Sequence, residues 1–288
     1  MIKQRAMLFS LLLMGCTAGQ VKKQVAIAKP VGDTVEKFYA AAIKDTFSVF
    51  VSLPADYTND AARQYPVIYL LDANLYFDIF STILKKYGEV GLLPPAILVG
   101  IGYKDFPTMD SLRNRDYTYP VAASAYEMPV SGGADKFYRF VSSELVPAMD
   151  RQYRTNHHQR VLMGHSLGGY FTLFVLQQQM LSKVQLFAGF VAASPSMHYN
   201  HYYLLHQLSA LPADSGYRPK VFAAFGSMED AAGEGDSTAA YKLSDLLASF
   251  RKMKYMDGKE EIYSNLDHMD TQLPTFVKGV QWVLEEKK

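Results

Sequence analysis

Chemistry in this chain begins at Ser166. It stands in the run Val161-Leu162-Met163-Gly164-His165-Ser166-Leu167-Gly168-Gly169-Tyr170, where an apolar strand pattern meets a helical one and a glycine lies two residues to either side. So sharp a strand-to-helix turn needs small residues at those two positions, and the arrangement reads as a nucleophile elbow. A neutral hydroxyl is a weak nucleophile, so a base must lie beside it, and histidine titrates near neutrality. Seven histidines compete for that role. His157 and His158 fall in a polar stretch before the elbow strand. His165 sits inside the motif with its side chain off the serine's line. His198, His201 and His206 follow Ser194-Pro195-Ser196 and are candidates to line a pocket. Only His268 occupies a loop between a final strand and a closing helix, where the base lies when nucleophile, acid and base follow in that chain order. The acid is then expected in the turn Ser227-Met228-Glu229-Asp230. Glu229 is the first choice and Asp230 the alternative, because side chains at neighbouring positions point in different directions. A tetrahedral oxyanion needs two fixed donors, expected from the backbone N–H groups of Leu167 and Ala73. Asn74, Tyr103, Arg113, His165 and His198 are the candidates for substrate contact.

The elements that must position these groups can be read from periodicity. Alternation over Phe47 to Leu53 predicts a half-buried outer strand, and the unbroken apolar run Pro66 to Leu71 a strand covered on both faces. Helical spacing follows over Leu75 to Lys86, then a strand at Ala96 to Ile101. Tyr103 to Gly133 has no steady period and reads as an irregular functional rim. Ala134 to Arg151 is an amphipathic helix, with Asp135 in its first turn explained by the helix dipole alone. After the elbow helix come a strand at Phe187 to Ala193, a helix at Asn200 to Leu211 and a strand at Lys220 to Gly226. A helix at Thr238 to Lys254, a strand at Lys259 to Ser264 and a closing helix from Gln272 to Glu286 complete the chain. This alternation predicts an α/β fold with a mostly parallel central sheet and helices on both faces.

At 288 residues and 49% hydrophobic, the chain can bury one sizeable core. A net charge of +1, with scattered lysines and arginines, argues against a nucleic-acid partner. Lys3 and Arg5 precede an apolar run from Ala6 to Met14 that is too short to span a bilayer, and Gly15-Cys16 follow. The segment resembles a lipoprotein signal at 1–15, with Cys16 as the lipidated residue, 16–35 as a tether and 36–288 as the catalytic domain. The expected location is therefore outside the cytoplasm, periplasmic or held at the outer membrane through the lipid. Because Cys16 is the chain's one cysteine, the domain beyond it has no disulfide or metal-thiolate site, and neither a metal nor an organic cofactor is implied.

Several motifs together resemble the putative-esterase family of α/β-hydrolases, which includes siderophore esterases, feruloyl esterases, esterase D and the mycolyl transferases. They are Tyr65 to Asp72, Arg113 before Tyr117 to Pro120, Gly132-Gly133-Ala134-Asp135, Tyr153-Arg154-Thr155, the elbow, and Ala193-Ser194-Pro195-Ser196. The resemblance runs from about Phe47 to the C-terminus. It implies an α/β-hydrolase fold, with the family's nucleophile at Ser166, its base at His268 and its acid in the Gly226 to Asp230 turn. Ala73 replaces a frequent glycine after the strand-ending aspartate, and Met269 replaces the glycine that more often follows the base. The activity implied is hydrolysis of carboxylic esters, of siderophore or aromatic type. An acyltransferase using the same triad and a non-catalytic binding lipoprotein are the alternatives.

Overall fold

The computed structural model describes residues 33–212, 217–229 and 242–285. The readings made for Cys16, the signal segment, most of the tether and Asp230 lie outside these residues. Eight strands form one sheet: β1 (Thr34–Ala40), β2 (Asp45–Ser52), β3 (Tyr65–Leu70), β4 (Ile97–Gly102), β5 (Thr155–His165), β6 (Gly189–Ala193), β7 (Lys220–Gly226) and β8 (Asp257–Tyr263). Their spatial order is β1-β2-β4-β3-β5-β6-β7-β8. The hairpin β1–β2 is antiparallel and β2 lies antiparallel to β4, whereas every pairing from β4 across to β8 is parallel. The chain passes from β3 outward to β4 and then returns to place β5 on the other side of β3. Loops after β3 and β5 thus diverge at a crevice, the usual ligand site of an open parallel sheet.

Helices cover both faces, as the alternation predicts. On one face lie α1 (Ala73–Glu89) and α8 (Gln272–Leu284), joined in a core through Tyr76, Phe77, Phe80, Phe276 and Val280. On the other lie α2 (Phe106–Tyr117), α3 (Ala134–Phe140), α4 (Val146–Gln152), α5 (Leu167–Ser182), α6 (Tyr199–Ser209) and α7 (Leu243–Lys252). An aromatic cluster of Phe47, Tyr117, Phe137, Phe140 and Phe171 fills the centre of that second core; the Phe47 and Phe140 rings stack at 4.9 Å. Such offset aromatic packing stabilises beyond the apolar area it buries.

Three expectations are corrected. The stretch read as an irregular rim contains α2, a helix whose sequence lacks an apolar stripe and therefore gives no period. Its start is fixed locally: Asp105 accepts the Thr108 N–H at 2.9 Å, and Pro107 sits in the first turn. The strand beginning at Asp45 is not the outer one, because β1 pairs outside it; β1 begins at Thr34, within the end of the stretch read as tether. Finally, the single helix expected over Ala134 to Arg151 passes through a π-helical turn, Val141–Leu145. That turn presents Glu144, whose carboxylate accepts the N–H groups of Ala41 and Ala42 at 2.8 and 2.9 Å and so caps the β1–β2 turn.

Helix α8 packs so closely on β6 that a Cβ at Gly279 would lie 2.4 Å from Val191 Cγ1 and 3.3 Å from Phe222 Cδ1. Gly279→Ala is expected to cost about 1–3 kcal/mol by overpacking. Urea unfolding should show a lower midpoint at an unchanged slope.

Candidate active site

The geometry of Ser166 follows from its neighbours. Ser166 has φ 58° and ψ −121°, a conformation a residue with a side chain rarely adopts. It is held from both sides: its N–H donates to Ala193 O at 3.0 Å, and its carbonyl accepts the Ser196 N–H at 3.2 Å. The turn also closes on itself. A Cβ at Gly164 would meet the Gly168 carbonyl at 2.5 Å, so this crossing of strand and helix admits no side chain.

His268 and Glu229 come from the loops after β8 and β7. Glu229 Oε2 lies 3.1 Å from His268 Nδ1. Its other oxygen accepts the Ser194 hydroxyl at 2.7 Å and the Gly226 N–H at 2.5 Å. Burial alone would push this carboxyl up, but hydrogen bonds from His268, Ser194 and Gly226 outweigh it and hold the group below the usual carboxylate range. An ionised carboxylate only accepts, so His268 carries its proton on Nδ1 and leaves Nε2 as the basic nitrogen. The two loops are also laced together through Ser227 N to Tyr263 O, Met228 N to Leu266 O, and Asn265 N to Ser227 Oγ. Thr271 completes the support: its Oγ1 lies 2.6 Å from Ser194 Oγ and 3.2 Å from His268 O.

Ala73 and Leu167 are the first residues of α1 and α5, so their N–H groups have no acceptor within their own helices. The strands that deliver them are neighbours, with Leu70 opposite Met163 in the parallel register. Two helix N-termini therefore open at the switch point, where their dipoles favour negative charge. Asp72, just before Ala73, is left-handed (φ 51°, ψ 43°) and buried. Arg113 fixes it with a two-pronged bond, Nε to Oδ1 at 3.1 Å and Nη2 to Oδ2 at 2.9 Å, and reaches the His165 carbonyl at 3.3 Å. One guanidinium thus ties the loop before Ala73 to the residue before Ser166.

The candidates for substrate contact divide differently from expectation. Tyr103 is 2% exposed and donates its hydroxyl to Asp116 at 3.1 Å, so it is a core residue. Asn74 spends both amide atoms on the Tyr103 backbone, at 2.6 and 3.1 Å, locking two loops together. Arg113 is engaged with Asp72, as above. His165 is buried, with Nε2 2.8 Å from the His268 carbonyl and Nδ1 3.1 Å from the Tyr76 hydroxyl. A carbonyl only accepts, so His165 donates from Nε2 and accepts at Nδ1, and both ring nitrogens are spent on holding the His268 backbone and Tyr76. Burial, with the nearby His268 and Arg113, lowers its pKa to about 4. Only His198 stays at the mouth, half-buried, with its carbonyl accepting the Tyr126 hydroxyl at 2.9 Å.

The helix expected from Asn200 begins with a turn of the opposite hand, since Asn200, His201 and Tyr202 have φ of 47°, 54° and 61°. Each such residue costs roughly 1–2 kcal/mol, and the rim across the mouth compensates. Asn200 bonds Ala123 N and Val121 O at 2.7 and 2.8 Å, and the Tyr126 hydroxyl accepts the His201 N–H at 3.0 Å. Ser194, Ser196, Thr271 and Tyr76 were not read as site residues from the sequence. Ser194-Pro195-Ser196, hydroxyls closing a buried strand, carried a signal; Thr271 and Tyr76 carried none.

A family model described as "Putative esterase" matches residues 40–257. The chain is 38% identical over 171 residues to the ferri-bacillibactin esterase BesA of Bacillus subtilis (strain 168), covering 56% of this chain and 57% of that protein. It is 29% identical over 174 residues to the apo-salmochelin esterase of Escherichia coli O6:H1, covering 57% and 51%. The alignments thus span little more than half the length of these curated relatives. The structure of siderophore hydrolase EstB from Aspergillus nidulans superposes with a TM-score of 0.74 at 21% identity, covering 90% of this chain and 98% of that one. The eight-stranded sheet and these neighbours are those of the α/β-hydrolase fold expected from the sequence.

Two outcomes follow from the site. Glu229→Gln, which removes the charge and the fixed tautomer, is expected to lower kcat on an ester substrate by about 10³- to 10⁴-fold with intact folding. His165 takes up its proton in the unfolded chain near 6.5 but in the folded chain only at about 4. Stability therefore falls as pH drops from 6.5 towards 4, by about 3 kcal/mol from this residue. In His165→Gln, which keeps a donor but does not titrate, calorimetry should show a shallower fall of Tm over that interval.

Proposed function

Because the chain belongs to the Putative esterase family, we propose that it is a serine esterase that cleaves carboxylic esters through an acyl-enzyme. The observation that carries this reading is the ionised Glu229 bonded to His268 Nδ1, on loops that flank a strained Ser166 beneath two open helix N-termini. Ser166 Oγ attacks the ester carbonyl and passes its proton to His268 Nε2, while the carbonyl electrons move onto oxygen, facing the N–H groups of Leu167 and Ala73. His268 then returns the proton to the departing alcohol. Water repeats the sequence on the acyl-enzyme, releasing the acid and restoring the serine. Glu229 keeps the imidazole in the required tautomer and stabilises its cation.

The substrate reading is a siderophore-type or aromatic ester. It is motivated by the names of the relatives and by the tyrosine-rich mouth formed with Tyr119, Tyr126 and Tyr203. Export and a lipid anchor on Cys16 belong to the same reading and rest on the Lys3 to Cys16 pattern alone.

A fluorophosphonate probe, followed by intact mass and peptide mapping, tests the chemistry. Wild-type protein should take up one probe at Ser166, and folded Ser166→Ala none, with kcat lowered by about 10⁴- to 10⁶-fold. Equal labelling of both proteins would sink the assignment. Assays with siderophore, feruloyl and short acyl esters then rank substrates by kcat/KM.

A further inference from the structure

The hydroxyl of Ser196 lies 3.1 Å from Ser166 Oγ, and among the described residues each of these hydroxyls is the other's hydrogen-bond partner. Ser196 is 5% exposed and its position is set by backbone. Its N–H donates to Ser166 O at 3.2 Å, and its carbonyl accepts the Tyr199 N–H at 3.2 Å. The preceding Pro195 lies against the elbow, 3.0 Å from where a Cβ on Gly169 would stand. Two residues earlier, Ser194 is anchored to Glu229 and Thr271. A hydroxyl so confined is a preorganised donor, and the oxygen it faces is the reacting one.

Direction decides what such a donor does. Attack by Ser166 requires its own proton to travel to His268 Nε2, which leaves the Oγ lone pairs as acceptors and makes Ser196 the donor. Leu167 and Ala73 serve the carbonyl oxygen of the substrate; Ser196 serves a different atom, the oxygen that links acyl group and enzyme. During acylation Oγ gives electron density away as its bond to carbon forms, so a donor there brings no net gain beyond holding the rotamer. In the acyl-enzyme the same hydrogen bond draws density out of the ester link and makes the acyl carbon more electrophilic. When water or another hydroxyl compound has added and passed its proton to His268, the carbon–Oγ bond breaks. Its electron pair returns to Oγ, and the donor then stabilises the charge that develops before His268 hands the proton back. Both halves of this second step gain.

Resting on the serine esterase reading, we propose that Ser196 is a catalytic residue of deacylation, donating to Ser166 Oγ as the acyl group leaves. It extends the site beyond the nucleophile, base, acid and oxyanion donors by a hydroxyl that acts on the enzyme's own leaving group.

Stopped-flow release of p-nitrophenolate from p-nitrophenyl esters by the full-length protein separates the two steps. kcat/KM reports acylation, and the steady rate after any burst reports deacylation. Ser196→Ala is expected to show a burst approaching one equivalent and a steady rate lowered roughly tenfold. KM should fall with it, so that kcat/KM stays within about threefold of wild type, and rapid-quench mass spectrometry should find acylated Ser166 accumulating. Ser196→Thr, which keeps a hydroxyl on the same carbon, should restore the wild-type partition. Equal losses in kcat and kcat/KM without a burst, or no change in either, overturn the proposal. So does loss of cooperative melting in Ser196→Ala, which would make the hydroxyl a structural one. A wild type that neither turns over nor takes the fluorophosphonate overturns the esterase reading and this role together; a wild type that does both isolates the result to Ser196.

Discussion

Everything at the candidate site depends on the contact between Gly164 and Gly168. The strand leaving the middle of the sheet and the helix entering above it come so near that no side chain fits between them. Ser166 at the crest must then take a conformation costing on the order of 1–3 kcal/mol. The cost is met by bonds at both its backbone ends, to Ala193 O and from Ser196 N. Strand β6 thus braces β5 at the point of strain. In exchange, the serine oxygen stands clear of the sheet and the N-terminus of α5 opens directly beside it.

Around that crest the charges are arranged so that each has a partner that fixes its state. Asp72 is paired two-pronged with Arg113, and Glu229 is held below the usual carboxylate range by donors from His268, Ser194 and Gly226. His165 is held neutral in the interior between Tyr76 and the His268 carbonyl. The two histidine rings lie 4.8 Å apart, and only the outer one has a carboxylate to balance a proton. In the proposed reaction a cation on His268 would therefore face a neutral neighbour, not a second cation.

Residue order carried much of this. The glycine-flanked serine, the histidine in the last loop and the acid after the preceding strand could each be placed from the alternation of strands and helices, because a parallel sheet brings the carboxyl ends of its strands to one side. Glu229 was distinguishable from Asp230 only as a preference, and the structure describes Glu229 alone, with His268 Nδ1 at 3.1 Å. Where pattern was silent, the reasons are physical. Helix α2 begins with a cap and a proline and has no apolar stripe, so neither hydrophobic period applies to it. Tyr103 and Asn74 looked available because tyrosine and asparagine are often exposed, yet their polar atoms are consumed by partners 13 and 29 residues away. The left-handed turn at Asn200 to Tyr202 contains no glycine to announce it, since its stability comes from Val121, Ala123 and Tyr126 across the mouth.

That mouth closes most of its hydrogen bonds within itself, between the segment from Tyr119 to Ser131 and the segment from His198 to Tyr203, whereas the base and acid loops are laced to each other and to Ser194. Among the described residues, the short Ser194-Pro195-Ser196 connection joins the two networks. Changes of residue or length in the mouth thereby leave the bonds among the loops of Glu229 and His268 largely untouched. The rim can therefore be remodelled while the bonds that hold Glu229 against His268 stay as they are.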